Sequence, residues 1–177
     1  MTKRLVITVT LSVIVVTFGV RIASADCPTD PVVNGGFESG SLTPGWVIDG
    51  INNPPFVSNA NPHSGVYSAR LGNINPESEP DGDSSFYQQL TVPASGGSLS
   101  FWHWDYSDDS ITYDWQDAYI TNSSGTILRT IFHEFSDSQT WTSTTVNMAP
   151  YAGQTVRIKF LATKMASTTT LPCMWTT

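Results

Sequence analysis

What most constrains this chain is the spacing of its apolar residues. Past residue 25 no stretch carries apolar side chains at helical intervals. Short apolar or alternating runs are separated instead by clusters of Gly, Pro, Asn, Asp and Ser. A strand presents successive side chains to opposite faces and needs only a few residues, so this punctuation predicts an all-β sandwich. Expected strands are Val32–Asn34, Val66–Leu71, Phe86–Val92, Ser98–Trp104, Asp117–Thr121, Thr126–Phe132, Trp141–Val146 and Thr155–Ala162. The clearest hairpin turns through Asn122-Ser123-Ser124-Gly125, where the glycine is free to take positive φ. In the last expected strand Val156, Ile158 and Phe160 share one face and Arg157 and Lys159 the other, a half-buried strand with a wet side. The polar stretches 35–63 and 73–85 read as loops, long enough to hold a metal or shape a binding face.

The first 25 residues read as an address. Lys3 and Arg4 precede an almost uncharged apolar run, Leu5 to Val20, and Ala23-Ser24-Ala25 offers the small residues that a signal peptidase needs. The run is shorter than the roughly 20 residues that span a bilayer. Residues 1–25 are therefore expected to be a cleaved signal peptide, leaving a secreted, extracellular chain with no membrane association. Asp26 before Cys27 argues against lipid attachment. Cleavage removes Lys3, Arg4 and Arg21 but no acid, so five basic residues face fifteen acidic ones. Such a surface repels nucleic-acid phosphates and anionic headgroups, which excludes nucleic acid as a partner, and it suits neutral ligands or divalent cations. In an exported chain the pair Cys27 and Cys173 suggests a disulfide closing nearly the whole domain, a pairing that has no meaning if the residues from about Lys164 onward are out of frame.

Catalytic constellations are poor, and the chain does not read as an enzyme. His133-Glu134 begins like a zinc-peptidase motif, but position 137 is Asp, and the segment reads as strand and loop rather than helix. His63, His103 and His133 are scattered, and no serine stands in a Gly-x-Ser-x-Gly elbow. The alternating acids of Glu77–Asp83 lack the Gly and Glu of an EF-hand, and read as a solvated loop. Asp105, Asp108, Asp109, Asp114 and Asp117 read as a second solvated cluster, in a long hairpin connection.

The aromatic pattern is more informative. Along Ser98–Tyr106, Leu99 and Phe101 point one way and Trp102, Trp104 and Tyr106 the other. With Leu99 and Phe101 in the core, the three rings form an outward row. Flat rings with polar neighbours can stack on sugars, so these three are candidate ligand-binding residues; Trp115 is added as a residue that can line a loop site, although its first reading is structural. The alternative is a strand buried on both faces, its tryptophans covered by the long loops. Trp46 and Trp141 read as structural.

Several segments carry a resemblance. Asn34-Gly35-Gly36-Phe37-Glu38-Ser39-Gly40 with Pro44-Gly45-Trp46, then His63–Ala69, Phe86–Pro93, Leu99–Trp102 and Tyr151–Val156, resemble in order the CenC-type carbohydrate-binding modules of bacteria. The same set is similar to the MAM-like domains of secreted bacterial metallopeptidases. Both resemblances span roughly residues 32–162 and imply a jelly-roll β-sandwich of the galactose-binding-like type. They differ in partner: an extracellular glycan for the first, a cell-surface protein for the second. A third reading is an accessory fragment of a larger secreted hydrolase or metallopeptidase. The resemblance also implies a structural calcium, with Glu38 as the first-strand ligand and an Asp of the last strand as its partner. A solvated turn acid is the plainer reading of Glu38.

The expected ending is missing. Modules of this class close on an acidic-Gly loop and a strand resembling Met-Tyr-Val-Asp-Asp-Val, whereas this chain ends Lys164–Thr177 without those acids. Read from the third base of the Lys164 codon, any codons for these residues give Asp or Asn and then a forced Gly. Across Met174, Trp175 and Thr176 they force Val and then Asp. The shifted frame thus permits the absent ending. The domain organisation expected from sequence is a signal peptide at 1–25, a β-sandwich at 26–163 lacking its last strand, and an out-of-frame tail at 164–177. A sandwich so truncated would be poorly soluble or of low stability.

Overall fold

The computed structural model describes residues 30–50, 53–72, 81–107, 112–165 and, as backbone, 172–176. The expected signal peptide, Cys27, residues 77–80 of the acidic loop, and Asp108 and Asp109 lie outside the described residues. Among the described residues ten strands form two antiparallel five-stranded sheets: β1 Val47–Ile48, β2 Phe56–Ser58, β3 Ser68–Gly72, β4 Gly82–Thr91, β5 Ser98–Asp105, β6 Asp114–Asn122, β7 Ile127–Glu134, β8 Trp141–Asn147, β9 Thr155–Lys164 and β10 Pro172–Thr176. Sheet one runs β1-β4-β9-β6-β7 and sheet two β2-β3-β10-β5-β8. The β-sandwich expected from the sequence is the fold observed. Strands repeatedly pass from one sheet to the other, so both inner faces meet in one core.

Alternation along each strand decides that core. Phe86, Phe160, Val156, Ile158, Ala118 and Ile120 of sheet one meet Phe101, Ala69 and Leu71 of sheet two, all buried. The aromatic centre is packed edge to face, with Trp46 and Phe86 ring centres 5.0 Å apart at 88° and Phe101 and Phe160 5.0 Å apart at 74°. Such pairs add to the area they bury, and truncating one of these rings to alanine costs about 3–5 kcal/mol.

The structure corrects several expectations. Val32–Asn34 joins neither sheet. Its backbone is met by the buried Gln88 side chain, which accepts from Val33 N at 2.7 Å and donates to Val33 O at 2.8 Å, as a neighbouring strand would. Asp105, Asp114 and Asp117 are not in a solvated connection. They stand on β5 and β6 and are at most 1 % exposed.

The last strand is not absent. Pro172–Thr176 lies between β3 and β5, with Trp175 opposite Ala69 and His103, and Met174 opposite Arg70 and Trp104. Strand pairing needs backbone N–H and C=O rather than particular acids, and Pro172 sits at the first residue, where a missing N–H is tolerated. Lys164 ends β9, pairs with Gly82 and Asp114, and is buried.

Candidate functional site

The candidate aromatics fall on two faces. Trp102, Trp104 and Tyr106 stand on the outer face of sheet two, half-buried, while Leu99 and Phe101 turn inward. The loop before β3 returns over this row. His63 stacks on Trp102 with ring centres 4.1 Å apart at 18°, and meets Trp141 edge-on at 5.4 Å. Trp141 pairs with Trp104 across β8 and β5, and Trp104 lies parallel to Tyr106 at 6.3 Å. The rings therefore cover one another. Beyond them the face carries small hydroxyls, including the contact between Ser100 and Thr145 at 2.9 Å.

Trp115 is on the opposite side of the molecule. It is the second residue of β6, whose alternation turns Gln116, Ala118 and Ile120 into the core and Trp115, Asp117, Tyr119 and Thr121 outward. Three adjacent strands place Tyr87, Lys159 and Tyr119 side by side in register, at a strand spacing of ~4.8 Å. Arg157 lies over the Tyr87 ring at 4.4 Å and reaches Gln89 at 3.4 Å. Lys159 is held from the edge by Asp49. The Asp49 and Gly50 amides both donate to Ser85 O, and a side chain at Gly50 would come within 2.4 Å of the Asp83 carbonyl. That close approach sets where Asp49 stands.

Toward Trp115 the face becomes acidic below and basic above. His133 Nδ1 lies 2.6 Å from Asp117 Oδ1, with the imidazole 51 % exposed and the carboxylate 1 %. The second oxygen of Asp117 is buried without a hydrogen-bond partner. Trp115 packs beside His133 at 5.8 Å. Burial pushes the Tyr119 hydroxyl well above the usual phenol range, with Asp117 and then the Asp83 charge adding to the shift, so this group remains a neutral donor and acceptor at ordinary pH. Sheet one thus presents rings, two cations, an amide, an imidazole and a carboxylate on one face. Sequence reasoning named Trp115 here but missed Tyr87, Tyr119 and His133, and it started β6 three residues late.

Glu38 has a different setting from a cation ligand. Its carboxylate accepts from Val66 N at 3.1 Å through each oxygen and from Tyr67 N at 3.1 Å. These are donors where a calcium needs further oxygens, and among the described residues no cluster of three acidic, His or Cys side chains includes Glu38. A cavity of about 480 Å³ between Asp30, Leu90, Gly97, Met148 and Ile158 is lined mainly by apolar groups, unsuited to a hydroxyl-rich ligand.

No family model matches the chain, and no curated protein matches it. Solved structures do. The chain is similar to TmCBM61 in complex with β-1,4-galactotriose, at 17 % identity and a TM-score of 0.56 over 84 % of this chain and 95 % of that one. It is similar to the K3 cleaved adhesin domain of Lys-gingipain from Porphyromonas gingivalis, at 17 % identity and a TM-score of 0.54 over 82 % of this chain and 98 % of that one. A carbohydrate-binding module of the β-sandwich superfamily matches at 12 % identity and a TM-score of 0.50, over 80 % and 60 %. At these identities the likeness establishes a shared fold: the chain is a β-sandwich built like carbohydrate-binding and adhesin domains.

Proposed function

We propose that this chain is a non-catalytic, secreted carbohydrate-binding module, and that neutral glycan lies on the outer face of sheet one. The observation that carries the reading is the set Tyr87, Lys159, Tyr119, Trp115 and His133 on one open face. Ring faces accept the C–H surface of a pyranose, while hydroxyls want several donors and acceptors fixed nearby. Lys159, Arg157 and Gln89 donate, and His133, oriented by Asp117, serves in either sense. Sheet two has the larger rings, but His63 and the neighbouring rings already cover them. Calcium takes no part in this reading.

Titration of neutral polysaccharides and oligosaccharides against the intrinsic tryptophan fluorescence tests the proposal. Binding that falls at least tenfold in Trp115→Ala and Tyr119→Ala and persists in Trp102→Ala and Trp104→Ala supports it. Loss only in the latter pair moves the site to sheet two.

A protein-contacting adhesin is the second reading, favoured by exposed apolar side chains at Val33, Val47, Ile48, Phe56 and Val66. A partner captured without any glycan response would favour it. The origin of residues 164–177 in a shifted frame is a separate proposal. Sequencing the locus tests it, and an open in-frame continuation past Thr177 would sink it.

A further inference from the structure

A third set of titratable groups lies between the sheets. His103 and Asp105, two residues apart on β5, point inward from sheet two, and Glu134 points inward from β7 of sheet one. One donor atom from each lies within 4.8 Å of the other two. His103 and Asp105 are buried, and Glu134 closes the cluster at its partly open side. The imidazole is fixed before any ligand arrives. Nε2 lies 3.2 Å from Thr144 Oγ1, and the ring packs on Phe132 at 5.0 Å. Nδ1 then faces both Asp105 oxygens almost equally, at 3.0 and 2.9 Å, rather than one oxygen in line.

An imidazole nitrogen whose lone pair faces a carboxylate needs positive charge between them. A proton supplies it, and so does a metal ion. Here a second carboxylate, from the opposite sheet, brings an oxygen within 4.8 Å of the other two donor atoms, which a single proton does not require. One nitrogen and two carboxylates suit zinc or a similar transition metal, whereas calcium and magnesium favour all-oxygen sets. The Thr144 contact matches the outer hydrogen bond that orients a metal-binding histidine.

We propose that His103, Asp105 and Glu134 form a structural site for a divalent transition-metal ion, zinc foremost, tying β5 of one sheet to β7 of the other. The site is independent of the glycan face. A metal held only by the folded state would raise its stability, so the consequence is readable without any ligand assay.

The test uses the full secreted chain, stripped with a chelator and then titrated with zinc or cobalt(II). The expected result is one equivalent of zinc bound, a thermal midpoint raised by several degrees, and ligand-field bands with cobalt. Magnesium and calcium should leave the midpoint unchanged. Glu134→Gln, at the partly open side, should fold and bind zinc at least tenfold more weakly, and His63→Ala should bind as the parent does. A stripped chain whose midpoint zinc does not move would overturn the proposal. So would zinc binding that survives Glu134→Gln unchanged or is lost in His63→Ala. In either case the cluster would be an ion pair held by a proton.

Discussion

His133 on β7 and Asp117 on β6 meet at 2.6 Å, with the imidazole half in solvent and the carboxylate sealed beneath it. The pair ties the rim of the proposed glycan face to its floor. Removing the imidazole leaves a buried carboxylate unpaired, at a cost of about 1–3 kcal/mol. His133→Ala should therefore lower the thermal midpoint by roughly 3–10 °C for a chain of this size. In Asp117→Asn the same substitution should cost much less, because the charge it compensates is gone. A double-mutant cycle in thermal denaturation checks this, and strict additivity would contradict the coupling.

Tyr119 gives a pH signature. Its folded pKa is raised above the unfolded value near 10, so its contribution to stability is complete below about pH 10 and is lost as pH rises toward the folded value. Phenolate absorbance followed upward from pH 9 should show a late step belonging to Tyr119. Tyr119→Phe should remove that late step and flatten the loss of stability above pH 10.

Gly65 and Glu38 are coupled by space. Gly65 has φ +66°, and a Cβ there would come within 2.3 Å of Glu38 Oε1. Gly65→Ala should destabilise by about 1–3 kcal/mol through backbone strain and displacement of the carboxylate. Combined with Glu38→Ala, the penalty should shrink to the backbone part alone. Chemical denaturation of the three variants measures this.

β10 carries much of the stability of sheet two, because it pairs on both sides. A chain ending at Met165 exposes the facing backbone groups of β3 and β5, and should aggregate or lose cooperative unfolding. Met174→Pro, which removes a donor from the middle of that strand, should do much of the same damage. An unchanged midpoint in both variants would show that the strand contributes little.

The sandwich was legible because alternation survives in short windows. Val156, Ile158 and Phe160 declared one face of β9, and Leu99 and Phe101 one face of β5. β10 was not legible, since Pro172–Thr176 has little alternation and a strand between two neighbours is held by backbone pairing. Asp105, Asp114 and Asp117 were misread because acids predict exposure, and only the fold brings His103, Lys164 and His133 to them. The aromatic row on β5 was visible, but the return of His63 over Trp102 joins residues far apart in sequence and different in type. The face of sheet one gathers β4, β6, β7 and β9, and no window of sequence contains it.

The most direct test of the central claim is calorimetric titration of the chain with a panel of neutral oligosaccharides, repeated with Trp115→Ala and Trp102→Ala. Saturable binding to at least one is expected, weakened at least tenfold by Trp115→Ala and retained by Trp102→Ala with both variants folded. Heat from no glycan, or binding that Trp115→Ala leaves intact, would contradict it.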